Sequence, residues 1–265
     1  QVTPFVLRRI KSEVATELPP KIENELPCVL NDEQRIEYRK LAEGAINEHG
    51  NNLHDAFKQA PTHIFSLLTR LRQVCCDLSL LPWREGFPPS GTKGDILLEK
   101  LRDLTISGSK IIVFSQFTSY LSILKKRIAE QVPDLKILEL TGSTRNRTLP
   151  VETFENFDGP AVILASLKAA GLGVTLKSAD YVFLMDPWWN PAIEEQAIDR
   201  AHRLGRTKPT FIYRLVTKGT VEERVRMLQL SKKETFQKII GDMDRPSALA
   251  DHFSSLKDLV ELNDT

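Results

Sequence analysis

The stretch Asp186-Pro-Trp-Trp-Asn190-Pro-Ala-Ile-Glu-Glu-Gln196-Ala-Ile-Asp-Arg200-Ala-His-Arg203-Leu-Gly-Arg206 aims two guanidiniums off a helix whose start is fixed. Asn190 can cap the free amides, Pro191 suits the first helical position, and Glu194 and Glu195 complement the positive end of the helix dipole. Gln196, Arg200 and Arg203 then stand at i, i+4 and i+7, on one face. Paired guanidiniums grip phosphate oxygens with planar, fixed forks. The plainer reading is an amphipathic helix with a solvated arginine edge. Against it, the helix follows directly on an apolar strand, Tyr181-Val-Phe-Leu-Met185. A strand ending in a loop and helix is where open α/β sheets place ligands.

Four further apolar runs read as strands: Lys110-Ile-Ile-Val-Phe114, Lys136-Ile-Leu-Glu-Leu140, Ala161-Val-Ile-Leu-Ala165 and Phe211-Ile-Tyr-Arg-Leu-Val216. Short, apolar on both faces and separated by helical stretches, they predict a parallel sheet covered on both sides, an α/β fold. Thr220-Val-Glu-Glu223 reads as a capping box opening a helix with a Val221, Val225, Leu228 stripe. From Asn31 to about Leu81 the pattern is helical, with Ile64, Leu67, Leu68, Leu71 and Val74 at helical spacing, and each residue there is read as packing. Trp83 to Gly94 is rich in Pro, Gly and Ser and reads as a loop or boundary.

Arg8-Arg9-Ile-Lys11 and Leu18-Pro19-Pro20-Lys21 read as a basic segment and then an extended, proline-stiffened connector. The abrupt opening suggests part of a longer chain. The expected division is a connector over 1–30, a helical subdomain over 31–90, a sheet domain over 91–240 and a short helical tail over 241–265.

The 265 residues suffice for a full core, and 41% hydrophobic with 27% charged residues fits a soluble globular protein. No apolar run approaches the roughly 20 residues of a membrane helix, so no membrane partner is expected. The default location is intracellular, a bacterial cytoplasm or a nucleus. Three cysteines, two of them adjacent, give neither a disulfide framework nor metal-ligand spacing, and the five histidines are scattered, so no metal ligands are expected. With 36 basic against 35 acidic side chains, any nucleic-acid contact must be a local patch.

Five blocks occurring together carry a specific resemblance: Val113-Phe-Ser-Gln-Phe117, Leu140-Thr-Gly-Ser-Thr144-Arg-Asn-Arg147, Ser166-Leu-Lys168-Ala-Ala-Gly171-Leu-Gly173, Asp186-Pro-Trp-Trp-Asn-Pro191, and Gln196 to Gly205. In order and spacing the chain resembles the C-terminal helicase lobe of the Swi/Snf-type DNA translocases, within helicase superfamily two. The N-terminal Leu-Arg-Arg-Ile-Lys and Leu-Pro-Pro-Lys pieces resemble the segment joining the two lobes. The resemblance implies a RecA-like parallel sheet preceded by a mostly helical subdomain, with ATP held between this lobe and an N-terminal RecA-like lobe of the same polypeptide.

Carried onto this sequence, the arginine fingers are Arg200 and Arg203, with Gln196, Gly171 and Gly173 beside the nucleotide. A finger of this kind contributes about 10³–10⁵ in rate, because phosphoryl transfer is chiefly positioning and charge stabilisation. Double-stranded DNA is the implied partner. Its backbone would meet Ser115 and Gln116 after one strand, Gly142, Ser143 and Thr144 in a polar turn, Arg147, and Ser166 with Lys168 after another. Trp189 is implied to couple DNA contact to hydrolysis, and His202 reads as structural.

Nowhere does the chain carry Gly-x-x-x-x-Gly-Lys-Ser/Thr; Gly91-Thr-Lys-Gly94 has the wrong spacing, and no Asp-Glu-Ala/Gly-His box is present. The phosphate cradle and the magnesium ligands are therefore expected on the missing N-terminal lobe, and this chain alone is expected to be inactive as an ATPase. Two departures from the family pattern touch nucleotide geometry: Arg206 stands where glutamine is common, and Ala170 replaces a usual glycine. The competing readings are a lobe of a strand-separating DNA or RNA helicase, and a non-catalytic nucleic-acid or protein-binding module.

Overall fold

Six strands form one all-parallel sheet in the order β1-β6-β5-β2-β4-β3. The computed structural model describes residues 19–170, 175–202, 208–233, 253 and 255–263. The strands are β1 (Lys21–Cys28), β2 (Lys110–Ser115), β3 (Lys136–Leu140), β4 (Ala161–Ser166), β5 (Tyr181–Leu184) and β6 (Thr210–Thr217). Their alternating side chains feed two separate cores. Ile111, Val113, Val162, Leu164, Phe183 and Leu215 face α4 (Thr92–Ile106) and α5 (Thr118–Gln131). Ile112, Phe114, Ile163, Ala165, Val182, Leu184 and Ile212 face Phe154 of α6 (Thr148–Asn156) and the apolar side of α8 (Pro191–Ala201). Covering both faces explains why β4 is buried at every residue and reads as an unbroken apolar run.

The α/β expectation holds, and the five expected strands appear within about one residue of their sequence bounds. One strand lies where a connector was expected: residues 21–28 form β1, paired in register with β6 from Lys21–Thr210 to Cys28–Thr217. Its residues are mostly exposed because it closes the edge of the sheet, and an edge tolerates Pro27. The opening residues 1–18 lie outside the described residues.

A helical layer precedes the sheet: α1 (Asp32–His49), α2 (Leu53–Gln59) and α3 (Pro61–Cys76). Asn31 and Gln34 form a reciprocal capping box at the start of α1. The carboxamide of Gln34 also donates to the Val74 carbonyl at 2.6 Å, tying α1 to α3. Ile64, Leu68, Leu71 and Val74 are fully or almost fully buried, as their spacing required, and Leu67 is partly buried at the border of the stripe. This core continues into Val221 and Val225 of α9 (Val221–Lys233) and Leu256, Leu259 and Val260 of α10 (Leu256–Val260). At the turn before α9, Gly219 has φ +67°, and a Cβ there would lie 2.1 Å from the Asn263 carbonyl oxygen, so the turn needs glycine. Asn263 N donates to Gly219 O at 2.9 Å, docking the tail. The capping contacts here are shifted by one residue from a box: the Glu223 carboxylate accepts from Gly219 N, and Thr220 Oγ1 from Glu222 N.

Candidate functional site

The carboxyl ends of β2, β3, β4 and β5 open onto one edge of the sheet. From β2 the chain moves outward to β3, returns to β4 and then crosses β2 to reach β5. A parallel sheet places its ligand crevice at such a reversal.

After β3, residues 141–144 make a tight polar turn. Thr144 N donates to Thr141 O at 3.1 Å, and Thr141 N returns a bond to Thr144 Oγ1 at 2.9 Å. The Thr144 hydroxyl is thereby engaged, and the Ser143 hydroxyl shares a 2.8 Å bond with Thr141 Oγ1, while Gly142 and Ser143 themselves are exposed. Arg147 follows, half-buried at the start of α6. Ser166 and Lys168 sit where β4 turns sharply into the short α7 (Leu167–Ala170). Lys168 projects to solvent, whereas Ser166 is buried and its hydroxyl accepts from Ala169 N.

Ser115 and Gln116 end β2. Ser115 is fully buried; its hydroxyl donates to Asp186 and accepts from Phe117 N at 3.1 Å. It therefore shapes the edge from beneath rather than presenting a group on it. Gln116 is half-buried above it, and Asp186 accepts its backbone N–H at 3.3 Å. Burial pushes the Asp186 carboxyl above the ordinary range, against the pull of Arg72 and of the Ser115 hydroxyl.

The turn after β5 is fixed from several directions. The Asn190 side chain caps α8 on Ala192 N at 3.0 Å, and Pro191 takes the first helical position, both as the sequence required. Trp188 packs against the α8 side of the sheet and Trp189 against the helical-layer core, both half-buried. Glu194 is no solvated dipole partner. It is buried, and accepts from Trp188 N at 2.6 Å, from Gln229 Nε2 at 2.8 Å and from the Arg214 guanidinium. Glu195 pairs with Lys21 at 2.9 Å and with Arg214 at 3.3 Å. Together these bonds lock α8 onto β6 and β1.

On the locked helix, Gln196 is exposed and Arg200 half-buried, four residues apart. The Arg200 carbonyl accepts from Leu176 N at 2.9 Å, joining α8 to the returning end of the β4–β5 connection. Arg203, Arg206, Gly171 and Gly173 lie outside the described residues. His202 is buried, with Nε2 2.7 Å from Pro19 O, a structural place.

Besides Arg214, two more buried cations escaped the sequence reading. Arg72, on α3, is 3% exposed and reaches the Pro187 carbonyl, Gln116 and Asp186. Lys93, inside the Gly91–Gly94 segment with wrong phosphate-loop spacing, is completely buried. Its ammonium donates to Met185 O at 2.7 Å, Leu215 O at 3.2 Å and the Glu222 carboxylate. Burial works against this charge, but Glu222 outweighs it and holds the pKa above the ordinary value. Lys93 is thus an internal clamp, with no surface to offer a phosphate.

The three cysteines are free and buried; burial raises the Cys28 thiol to about 11 and the Cys75 and Cys76 thiols as well. Two of the histidines are less scattered than expected. His49 and His63 each place a ring nitrogen 3.7 Å from Glu48 Oε1, on the helical layer. Among the described residues this is the one group of three His, Cys, Asp or Glu side chains close enough to share an ion.

Residues 93–205 match the helicase conserved C-terminal domain, and residues 1–80 match the SNF2-related domain. An uncharacterized ATP-dependent helicase of Mycoplasma pneumoniae is 35% identical over 91% of this chain. The human SWI/SNF-related matrix-associated actin-dependent regulator of chromatin subfamily A member 1 is 35% identical over 84%. The chain spans 23% and 22% of those two relatives. Among solved structures, the Sulfolobus solfataricus SWI2/SNF2 ATPase C-terminal domain aligns with TM-score 0.71 at 26% identity, covering 92% of this chain and all of that one. The ATPase core from the same organism in complex with dsDNA aligns with TM-score 0.76 at 28% identity, covering 99% of this chain and 55% of that one. Sheet order, the polar edge and these matches agree: the chain belongs to the Swi/Snf-type helicases, as their C-terminal RecA-like lobe.

Proposed function

We propose that this chain is the second motor lobe of an ATP-dependent double-stranded DNA translocase or remodeller, which moves DNA as the cleft between two lobes opens and closes. One observation carries this reading. The polar groups after β2, β3 and β4 and the anchored α8 lie on a single sheet edge, in a fold that aligns over 99% of this chain with part of a dsDNA-bound ATPase core. Gly142, Ser143, Thr144, Arg147, Lys168 and Gln116 contact DNA backbone phosphates, giving registration without base reading. Ser115 and Ser166 hold the shape of two of these strand ends from below.

ATP binds between the lobes, with Gln196, Gly171 and Gly173 on this side. Arg200 and Arg203 supply the guanidiniums that stabilise charge on the transferring phosphoryl group. Magnesium ligands, the phosphate cradle and the water-orienting acid belong to the first lobe. The bonds of Glu194 and Glu195 give α8 the rigidity that such a finger needs, since a loosely held guanidinium contributes little in the transition state.

The test is ATP turnover with and without duplex DNA, for the purified 265-residue chain and for the full-length protein. Negligible turnover by the chain and DNA-stimulated turnover by the full-length protein are expected. Robust hydrolysis by the chain alone overturns the division of labour, and efficient strand displacement by the full-length protein moves the assignment to a strand-separating helicase.

A further inference from the structure

Arg72 reaches out of the helical layer into the polar edge. On α3 it falls at i+4 from Leu68 and i+8 from Ile64, on the face that the helix buries, so its charge enters the interior with the leucines. There one guanidinium nitrogen donates to Gln116 Oε1 at 3.0 Å, and the other donates to the Pro187 carbonyl and lies 3.6 Å from Asp186 Oδ1. The group also stands over the rings of Phe117, Trp188 and Trp189, 5.8, 5.9 and 5.3 Å from their centroids. Two strand ends and both tryptophans are thus tied to a helix outside the sheet.

The contact with Gln116 has a direction. A guanidinium only donates, so it admits only the oxygen end of the carboxamide and turns the NH₂ away. Gln116 Nε2 has no acceptor among the described residues. Although the residue is half-buried, this nitrogen is itself shielded, and a buried donor without a partner is costly unless something supplies an oxygen. A DNA backbone phosphate offers acceptor oxygens only, which is the chemistry this orphan donor lacks.

We propose that Arg72 is a positioning residue that sets the polarity of Gln116, keeping its carboxamide NH₂ free of protein acceptors so that a backbone phosphate takes it when the side chain adjusts to DNA on the edge. The helical layer thereby acts on DNA contact without touching DNA, and the same guanidinium holds the turn carrying Trp188 and Trp189. This rests on the reading of the sheet edge as a DNA surface.

The test is a double-mutant cycle on the 265-residue chain, reading affinity for a fluorescent 20-base-pair duplex by anisotropy and melting by circular dichroism. Gln116→Glu keeps an acceptor for Arg72 and removes the donor; it should melt at or above the wild-type temperature while losing about tenfold or more in affinity. Arg72→Lys keeps the charge but loses the fork, and should lose about five- to tenfold. Because both act on one contact, the double variant should bind no worse than Gln116→Glu alone. Wild-type affinity in Gln116→Glu, or fully additive losses, would overturn the proposal. If the wild-type chain and the full-length protein both fail to bind duplex DNA, the underlying reading of the edge fails instead.

Discussion

Glu194 in the first turn of α8 and Arg214 in β6 form a buried ion pair, the two side chains being 2% and 6% exposed. The pair is completed by neighbours: Glu23 and Glu195 each lie 3.3 Å from Arg214, while Trp188 N and Gln229 Nε2 bond to the other oxygen of Glu194. A helix-opening glutamate therefore sets both the tilt of α8 and the backbone of the tryptophan turn.

Glu194→Ala should destabilise the chain by about 3–5 kcal/mol, because it leaves a buried guanidinium short of charge, the Trp188 N–H without its acceptor and Gln229 with only the Trp188 carbonyl. Glu194→Gln should cost less, since its carbonyl oxygen can still serve one donor. Chemical denaturation of the three proteins checks the order, and equal stability of Ala and wild type would contradict the anchoring role.

Acid should loosen the β1 edge at Glu23. Burial pushes this carboxyl up, but the bond and charge of Lys21, then Arg214, outweigh it and lower the pKa from its ordinary 4.5 to about 2. A folded-state pKa below the unfolded one means that the stabilisation is complete above about pH 4.5 and is lost as pH falls toward 2. Glu23→Gln should therefore flatten the melting-temperature profile between pH 5 and pH 2. An unchanged acid limb would show that the pairing contributes nothing.

Trp189 lies with one side on the helical-layer core and Arg72 5.3 Å from its ring. In the full-length protein, Trp189→Ala should weaken DNA stimulation of ATP hydrolysis more than ATP binding. Steady-state ATPase with and without duplex DNA, alongside titration with a fluorescent nucleotide, separates the two. Stimulation at the wild-type ratio would remove the coupling role.

Much of the fold was legible because its central strands are covered on both faces and leave unmistakable apolar runs. β1 was not, since Lys21-Ile-Glu-Asn-Glu-Leu-Pro27 is an exposed edge whose partner, β6, lies almost two hundred residues away. Of the polar-edge residues named from the sequence, Gly142, Ser143, Lys168 and Gln196 lie on the surface. What composition and spacing concealed was the charge inside. Ser115 and Glu194 read as surface groups until Asp186 and Arg214 were brought to them by the fold. Arg72 did leave a signal, a cation on the apolar stripe of α3, and Lys93 a weaker one between Gly91 and the leucines of α4. Such charges are buried only when paired, so each announced a partner without identifying it.

The most direct test of the central claim is the rate of DNA-stimulated ATP hydrolysis by the full-length protein carrying Arg200→Ala. Turnover should fall by about 10³ or more while duplex affinity stays near wild type. Turnover within a few-fold of wild type, or a loss of DNA affinity equal to the loss of rate, would contradict the assignment of Arg200 to the transferring phosphate.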